Sequence, residues 1–168
     1  MKPLTECQAF MIDKIDGGFV PKAIKWFTGA PYHHAGVFAK RKEDGNRLWV
    51  YEAVAKGFVP THTVEEWEEM VGVKFNAVVF SPEVDMATFY SRLHELHGAP
   101  YDFGSLIFWQ SIHQLLKRIG LDVWLGRKGP KAKNSIYCTE GVAYILGYEQ
   151  WWAYDPMRLY TRLKWSKG

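Results

Sequence analysis

Residues 34–53, HAGVFAKRKEDGNRLWVYEA, hold two apolar runs separated by a charged joint. HAGVFA and RLWVYEA are rich in β-branched and aromatic residues, which suit a pleated, half-buried surface. The joint carries Asp44-Gly45, a pair that favours chain reversal because glycine accepts a positive φ. The segment therefore reads as a β-hairpin. Its register depends on the turn. A two-residue loop at Asp44-Gly45 opposes Glu52 to Val37 and sends the carboxylate to the face away from His34. A three-residue loop, Glu43-Asp44-Gly45, opposes Glu52 to Gly36 and puts glycine at the left-handed position. His34 and Glu52 then become diagonal neighbours on one face. The three-residue loop is the expectation.

Upstream, ECQAFMI (6–12) reads as a first strand. GGFVPKAIKWFTG (17–29) reads as a short helix, with Pro21 in its first turn and Gly29 just past its end. Downstream, Thr63 and Glu66 form a capping box that starts a helix in THTVEEWEEM (61–70). VKFNAVVF (73–80) is a strand by composition. In SPEVDMATFYSRLHELHG (81–98), Met86, Phe89, Tyr90, Leu93 and Leu96 recur at helical spacing, closed by Gly98 and Pro100. YDFGSLIFWQSIHQLLKRIG (101–120) puts Leu106, Trp109, Ile112, Leu116 and Ile119 on one helical stripe. A basic Gly/Pro-containing loop follows at 121–134. YCTEGVAYIL (137–146) is a helix stopped by Gly147, and DPMRLYTRLKW (155–165) is a helix capped by Asp155 with Pro156 in its first turn. The sum is α+β: a small antiparallel sheet packed with helices.

The 168 residues, 48% hydrophobic and 16% aromatic, suit one domain with a real core. Lys and Arg outnumber Asp and Glu by 21 to 18, a mild excess with no arginine-rich tract, so no nucleic-acid partner is expected. Two cysteines, Cys7 and Cys138, make no disulfide framework. The N-terminal MKPLTECQAFMIDK lacks the apolar segment of a secretory signal, and no run approaches the ~20 apolar residues of a membrane span. The expectation is a cytoplasmic protein, or one released without a signal peptide.

Cys138 lies where a loop becomes a helix, a position that favours the thiolate; a small buried core residue is the plainer reading. A catalytic thiol needs a base within reach and a group to orient it. His33 and His34 are adjacent, so within a strand they face opposite ways. His34 shares a face with Gly36 and Phe38. Glu52 continues the face of Leu48 and Val50, where an unpaired carboxylate is unfavourable unless the strand end is already in water. His33 either lines substrate or faces solvent. HELH (94–97) lacks the zinc-helix glutamate placement and a third ligand, so no metal and no other cofactor is expected. His62 and His113 read as scattered residues, and Glu140 as an acid suited to a helix N-terminus. Lys117, Arg118, Arg127, Lys128, Lys131 and Lys133 form either a solvated loop or a site for an anionic polymer or lipid headgroups. With the apolar 103–119 segment, that cluster is a candidate lid or membrane-facing patch. Trp151 and Trp152 either wall a groove or fill the core.

His34, Glu52 and Cys138 occur in that order, within HHAGVF (33–38), VYEA (50–53) and YCTEGVAYIL (137–146), with GAPYD (98–102) between. The set resembles the circularly permuted papain-like amidases and peptidases, a branch of the NlpC-type cell-wall peptidase superfamily that includes the lecithin-retinol acyltransferase relatives. In unpermuted members a Gly-x-Pro-Tyr stretch leads to the Cys helix, and the strands bearing the histidine and a polar residue follow. Here the strands come first. DPMRLY (155–160) is similar to the closing helix of that pattern, and the resemblance runs from about residue 5 to 163. It implies a single permuted papain-like domain over 1–168, with a helical and basic-loop insertion at about 103–133. By the same resemblance, Cys138 is the nucleophile, His34 the base and then the acid, and Glu52 the group that orients the ring. Tyr101 resembles the family tyrosine near the oxyanion site, beside the Cys138 backbone N–H; Tyr137 and His33 are the other substrate or oxyanion candidates. The implied activity is thiol-dependent cleavage of an amide bond in peptidoglycan-type peptides. Lipid-directed acyl transfer or ester hydrolysis is the alternative, and a non-catalytic binding or structural protein on this fold is the third reading. The long segment between Tyr101 and Cys138, and Thr139 in place of the usual serine, depart from the family pattern and bear on substrate.

Overall fold

The computed structural model describes residues 3–102, 110–121 and 135–166. The hairpin lies inside a larger sheet. Its arms are β2 (His34–Arg41) and β3 (Arg47–Val54). With β1 (Ala9–Lys14), β4 (Gly57–Thr63) and β5 (Phe75–Phe80) they form a five-stranded antiparallel sheet in the order β4-β3-β2-β1-β5. The described helices are α1 (Phe19–Thr28), α2 (Val64–Met70), α3 (Met86–Leu96), α4 (Gln110–Arg118), α5 (Cys138–Ile145) and α6 (Pro156–Trp165). The architecture is α+β.

Gly36 opposes Glu52, as the three-residue turn requires. The connection itself is longer than expected. The last pair is Arg41 with Arg47, after which Lys42–Asp44 make a single 3-10 turn and Gly45 and Asn46 both take left-handed φ. The charged tip peels off the ladder, and the Asp44 carboxylate accepts the Trp49 indole N–H at 2.9 Å. β1 starts at Ala9 rather than at residue 6, because Cys7 sits at a φ of 63° that no strand accommodates. β4 has no counterpart in the sequence reading. Pro60 argues against a central strand, but β4 is an edge strand, where proline is tolerated, and the register shift at Val50/Tyr51 lies beside it.

Strand alternation gives the sheet two apolar faces. Ala9, Met11, Ala35, Val37 and Ala53 belong to the larger core with α3, α5 and α6. Phe10, Phe38 and Val50 belong to the smaller one, where Phe38 meets the Trp67 ring edge-on at 5.1 Å. α5 is buried at every residue. It can lie close because its own Gly141 leaves room for the Phe58 ring, which would stand 2.8 Å from a Cβ at that position. Both anticipated helix starts are real. Thr63 and Glu66 exchange both bonds of a capping box, and Asp155 accepts the Arg158 N–H at 2.7 Å.

α4 departs from its expected stripe. Ile112 and Leu116 are half-buried, but Ile119 is exposed, as is Leu115, and His113 turns inward instead. Leu106, Trp109, Arg127, Lys128, Lys131 and Lys133 lie outside the described residues, as does the side chain of Arg118. Met86 is exposed and leaves the α3 stripe to Phe89, Leu93 and Leu96. Trp151 fills the core, edge-on to Tyr144 at 4.9 Å. Among the described residues no helix is long and apolar enough to cross a membrane.

Candidate active site

The expected diagonal pair is present. Nε2 of His34, the first residue of β2, donates to Oε2 of Glu52 on β3 at 2.6 Å. The other ring nitrogen is left for Cys138, with which His34 shares a hydrogen bond. Cys138 is the first residue of α5, which packs across β2 and β3. One imidazole thus links a buried thiol to a buried carboxylate. Tyr101 completes the group. A parallel bridge to Ile136 sets Tyr101 two residues from Cys138 across the chain, and its hydroxyl bonds the sulfur.

The electrostatics follow from burial and charge. Burial opposes the imidazolium of His34, but the charge and hydrogen bond of the Cys138 sulfur, then the Glu52 carboxylate, outweigh it and push its pKa up from 6.5 to about 10. Burial likewise opposes ionisation of Glu52. The hydrogen bond and charge of His34, with the Thr61 bond, overcome it and hold the carboxyl below 4.5. Burial and the adjacent sulfur raise the Tyr101 phenol strongly, so it keeps its proton and remains a donor.

The sequence did not bring Thr61 or His62 to the site. Thr61 Oγ1 donates to Glu52 Oε1 at 2.6 Å, so both carboxylate oxygens are held. His62 Nδ1 lies 3.0 Å from Thr61 Oγ1 and 3.8 Å from Glu52 Oε1. Both belong to β4. Recognising FVPTHT as an edge strand beside VYEA would have aligned them with Glu52. His33 is mostly buried, not solvent-facing; Nδ1 lies 3.3 Å from Asp13, whose other oxygen binds Lys25 at 2.8 Å. Burial, then the neighbouring His34, lower its pKa.

Tyr137 is a correction. Its ring is fully buried in the larger core and its hydroxyl donates to the Tyr154 carbonyl at 3.0 Å, so it supports the site without lining it. The Thr139 hydroxyl donates to the same carbonyl, and Glu140 reaches back to the Tyr137 N–H at 3.5 Å. Together these contacts fix the start of α5 and the position of the sulfur.

A cleft of about 410 Å³ opens over the site. His33, His34, Glu52, His62 and Tyr101 form its polar end, and Ile12, Val20, Ile24, Trp67, Met70 and Phe75 its apolar walls, with Lys14 and Lys74 also lining it. Cys138 is 1% exposed and lies behind His34 and Tyr101 rather than on the cleft wall.

No family model and no curated protein matches the chain. A solved structure described as metalloprotein yiiX from Escherichia coli O157:H7, DUF1105, is similar with a TM-score of 0.53 and 20% sequence identity. The match covers 83% of this chain and 63% of that one, so this chain spans under two thirds of that neighbour. At this identity the likeness is one of fold. Among the described residues no group of three or more His, Cys, Asp or Glu side chains is arranged to hold a metal ion. Here His34 is engaged with Glu52 and His33 with Asp13.

Proposed function

We propose that the protein is a thiol hydrolase on a permuted papain-like fold, cleaving an acyl bond through an acyl-enzyme on Cys138. One observation carries this reading: His34 lies between the Cys138 sulfur and the Glu52 carboxylate, bonded to both. In the proposed cycle the thiolate adds to the substrate carbonyl. The oxyanion meets the Cys138 N–H at the helix start and the Tyr101 hydroxyl. The imidazolium protonates the leaving group, and the C–N or C–O bond breaks to leave a thioester. His34 then takes a proton from water, whose oxygen attacks the thioester; the acid departs and the thiol is restored. Glu52 holds the ring in the orientation both steps need.

The resemblance favours an amide in a peptidoglycan-type peptide, and Lys14 and Lys74 suit peptide carboxylates. The apolar walls from Val20 to Phe75 favour a second reading, in which the acyl group is a lipid chain. Mass spectrometry of Cys138 after incubation with labelled peptides or acyl lipids separates the two by the mass of the adduct.

Cys138→Ala and His34→Ala are each expected to lower turnover by about a thousandfold or more while the fold survives. Full activity in either variant refutes the assignment. A thiol-reactive probe at about pH 6–7 is expected to label Cys138 before Cys7, whose pKa is raised by burial and by Glu6. An inert Cys138 points instead to a binding or structural protein.

A further inference from the structure

We propose that the mouth of the cleft is a docking surface for an anionic phospholipid bilayer, with α1 as its contact element. The two strand ends at the mouth are joined there, Ile15 N–H donating to the Lys74 carbonyl at 3.0 Å. Next to the cleft-lining Lys14, Val20 and Lys74 stand large apolar side chains in water: Ile15, Val73 at 72% exposure, and Phe19 at 86%. Trp26, further along α1, is 65% exposed. α1 has no buried residue. Val20 and Ile24 line the cleft while Phe19 and Trp26 face outward, so the helix bridges interior and surface. Apolar residues this large and this close together mark a surface that is covered in use.

Charge selects the occupant. Lys14, Lys22 and Lys74 are exposed around these side chains. Lys25 is engaged by Asp13, and Asp16 is the acid of this rim. By helical spacing the exposed Glu65, Glu68 and Glu69 fall on faces of α2 away from Trp67 and Met70, which line the cleft, while Glu66, on the Met70 side, is held by the Thr63 N–H in the capping box. Exposed aromatic side chains on an element that carries Lys22 and lines a cleft shared with Lys14 and Lys74 match the headgroup and acyl boundary of an anionic bilayer. A second copy on the same patch would set lysines against lysines. The surface differs from the 103–133 segment that the charge pattern singled out, and it opens directly into the cleft.

The test is co-sedimentation of the full chain with phosphatidylcholine vesicles, with and without phosphatidylglycerol. The chain is expected to pellet with the phosphatidylglycerol vesicles and to dissociate as salt rises. The Phe19→Ser/Trp26→Ser double variant, altered only at exposed positions, is expected to lose binding by at least about tenfold. It should still unfold in one cooperative transition, and Lys22→Glu/Lys74→Glu should also weaken binding. Equal pelleting of wild type and double variant, or no pelleting with either vesicle, overturns the proposal. So does a concentration-dependent dimer that the double variant abolishes, since that gives the face to a second copy. Binding is read without turnover, so failure here and failure of the thiol chemistry are separate results.

Discussion

Glu52 is a carboxylate with both oxygens occupied, one by the imidazole of His34 and one by the Thr61 hydroxyl. Glu52 supports the imidazolium of His34, whose pKa is pushed up to about 10. The proposed hydrolysis needs this cation and is expected to fade as pH rises through that value. Glu52→Gln keeps the shape and removes the charge, so the alkaline limb of the kcat/KM profile is expected to move down by roughly one pH unit or more. An unmoved limb removes Glu52 from its role. Thr61→Val leaves one buried carboxylate oxygen without its donor. It is expected to lower kcat by about tenfold with KM little changed, and Thr61→Ser to restore it. A merely structural Thr61 would give lower stability with an unchanged profile. The pairing of Glu52 with His34 was legible because strand parity is a local rule. Thr61 was not, because the strand that carries it contains proline.

At the scale of elements, close approach decides the placement of the chemistry. Gly36 opposes Glu52 in the ladder pair farthest from the hairpin turn. A Cβ there would stand 2.5 Å from the Phe10 ring and 2.6 Å from the Tyr51 carbonyl oxygen, which is backbone and cannot swing aside. Gly36→Ala is expected to destabilise the fold by about 1–3 kcal/mol, read from denaturant unfolding. A neutral substitution would mean that β2 and β3 can separate without loss. Helix starts were legible at two caps, Thr63 with Glu66 and Asp155, because a cap involves residues three or four apart. The inward turn of Tyr137 and His113 was not, since sequence spacing does not say which side of a helix or loop the core will occupy.

For the whole molecule, the buried His34 and Glu52 link stability to pH. The folded-state pKa of His34 is raised, so its contribution is complete below about 6.5 and is lost as pH rises through about 10. That of Glu52 is depressed, so its contribution is present above about 4.5 and is lost as pH falls through the lower folded value. The two overlap most fully between about pH 4.5 and 6.5. Melting curves of wild type and His34→Ala are expected to differ most in that window and to converge toward pH 10. A difference that widens with rising pH would contradict the assigned direction. By itself, the sequence determined the α+β class, the hairpin register that faces His34 toward Glu52, and the capped helix starts. Each of these rests on periodicity or on contacts within a few residues. Tertiary structure alone decided that α5 lies across β2 with its first residue at the ring of His34. It also decided that β4 lends Thr61 and His62, and that the cleft is apolar. Those outcomes depend on which surfaces pack together across long stretches of chain, and no local pattern of residues encodes that choice.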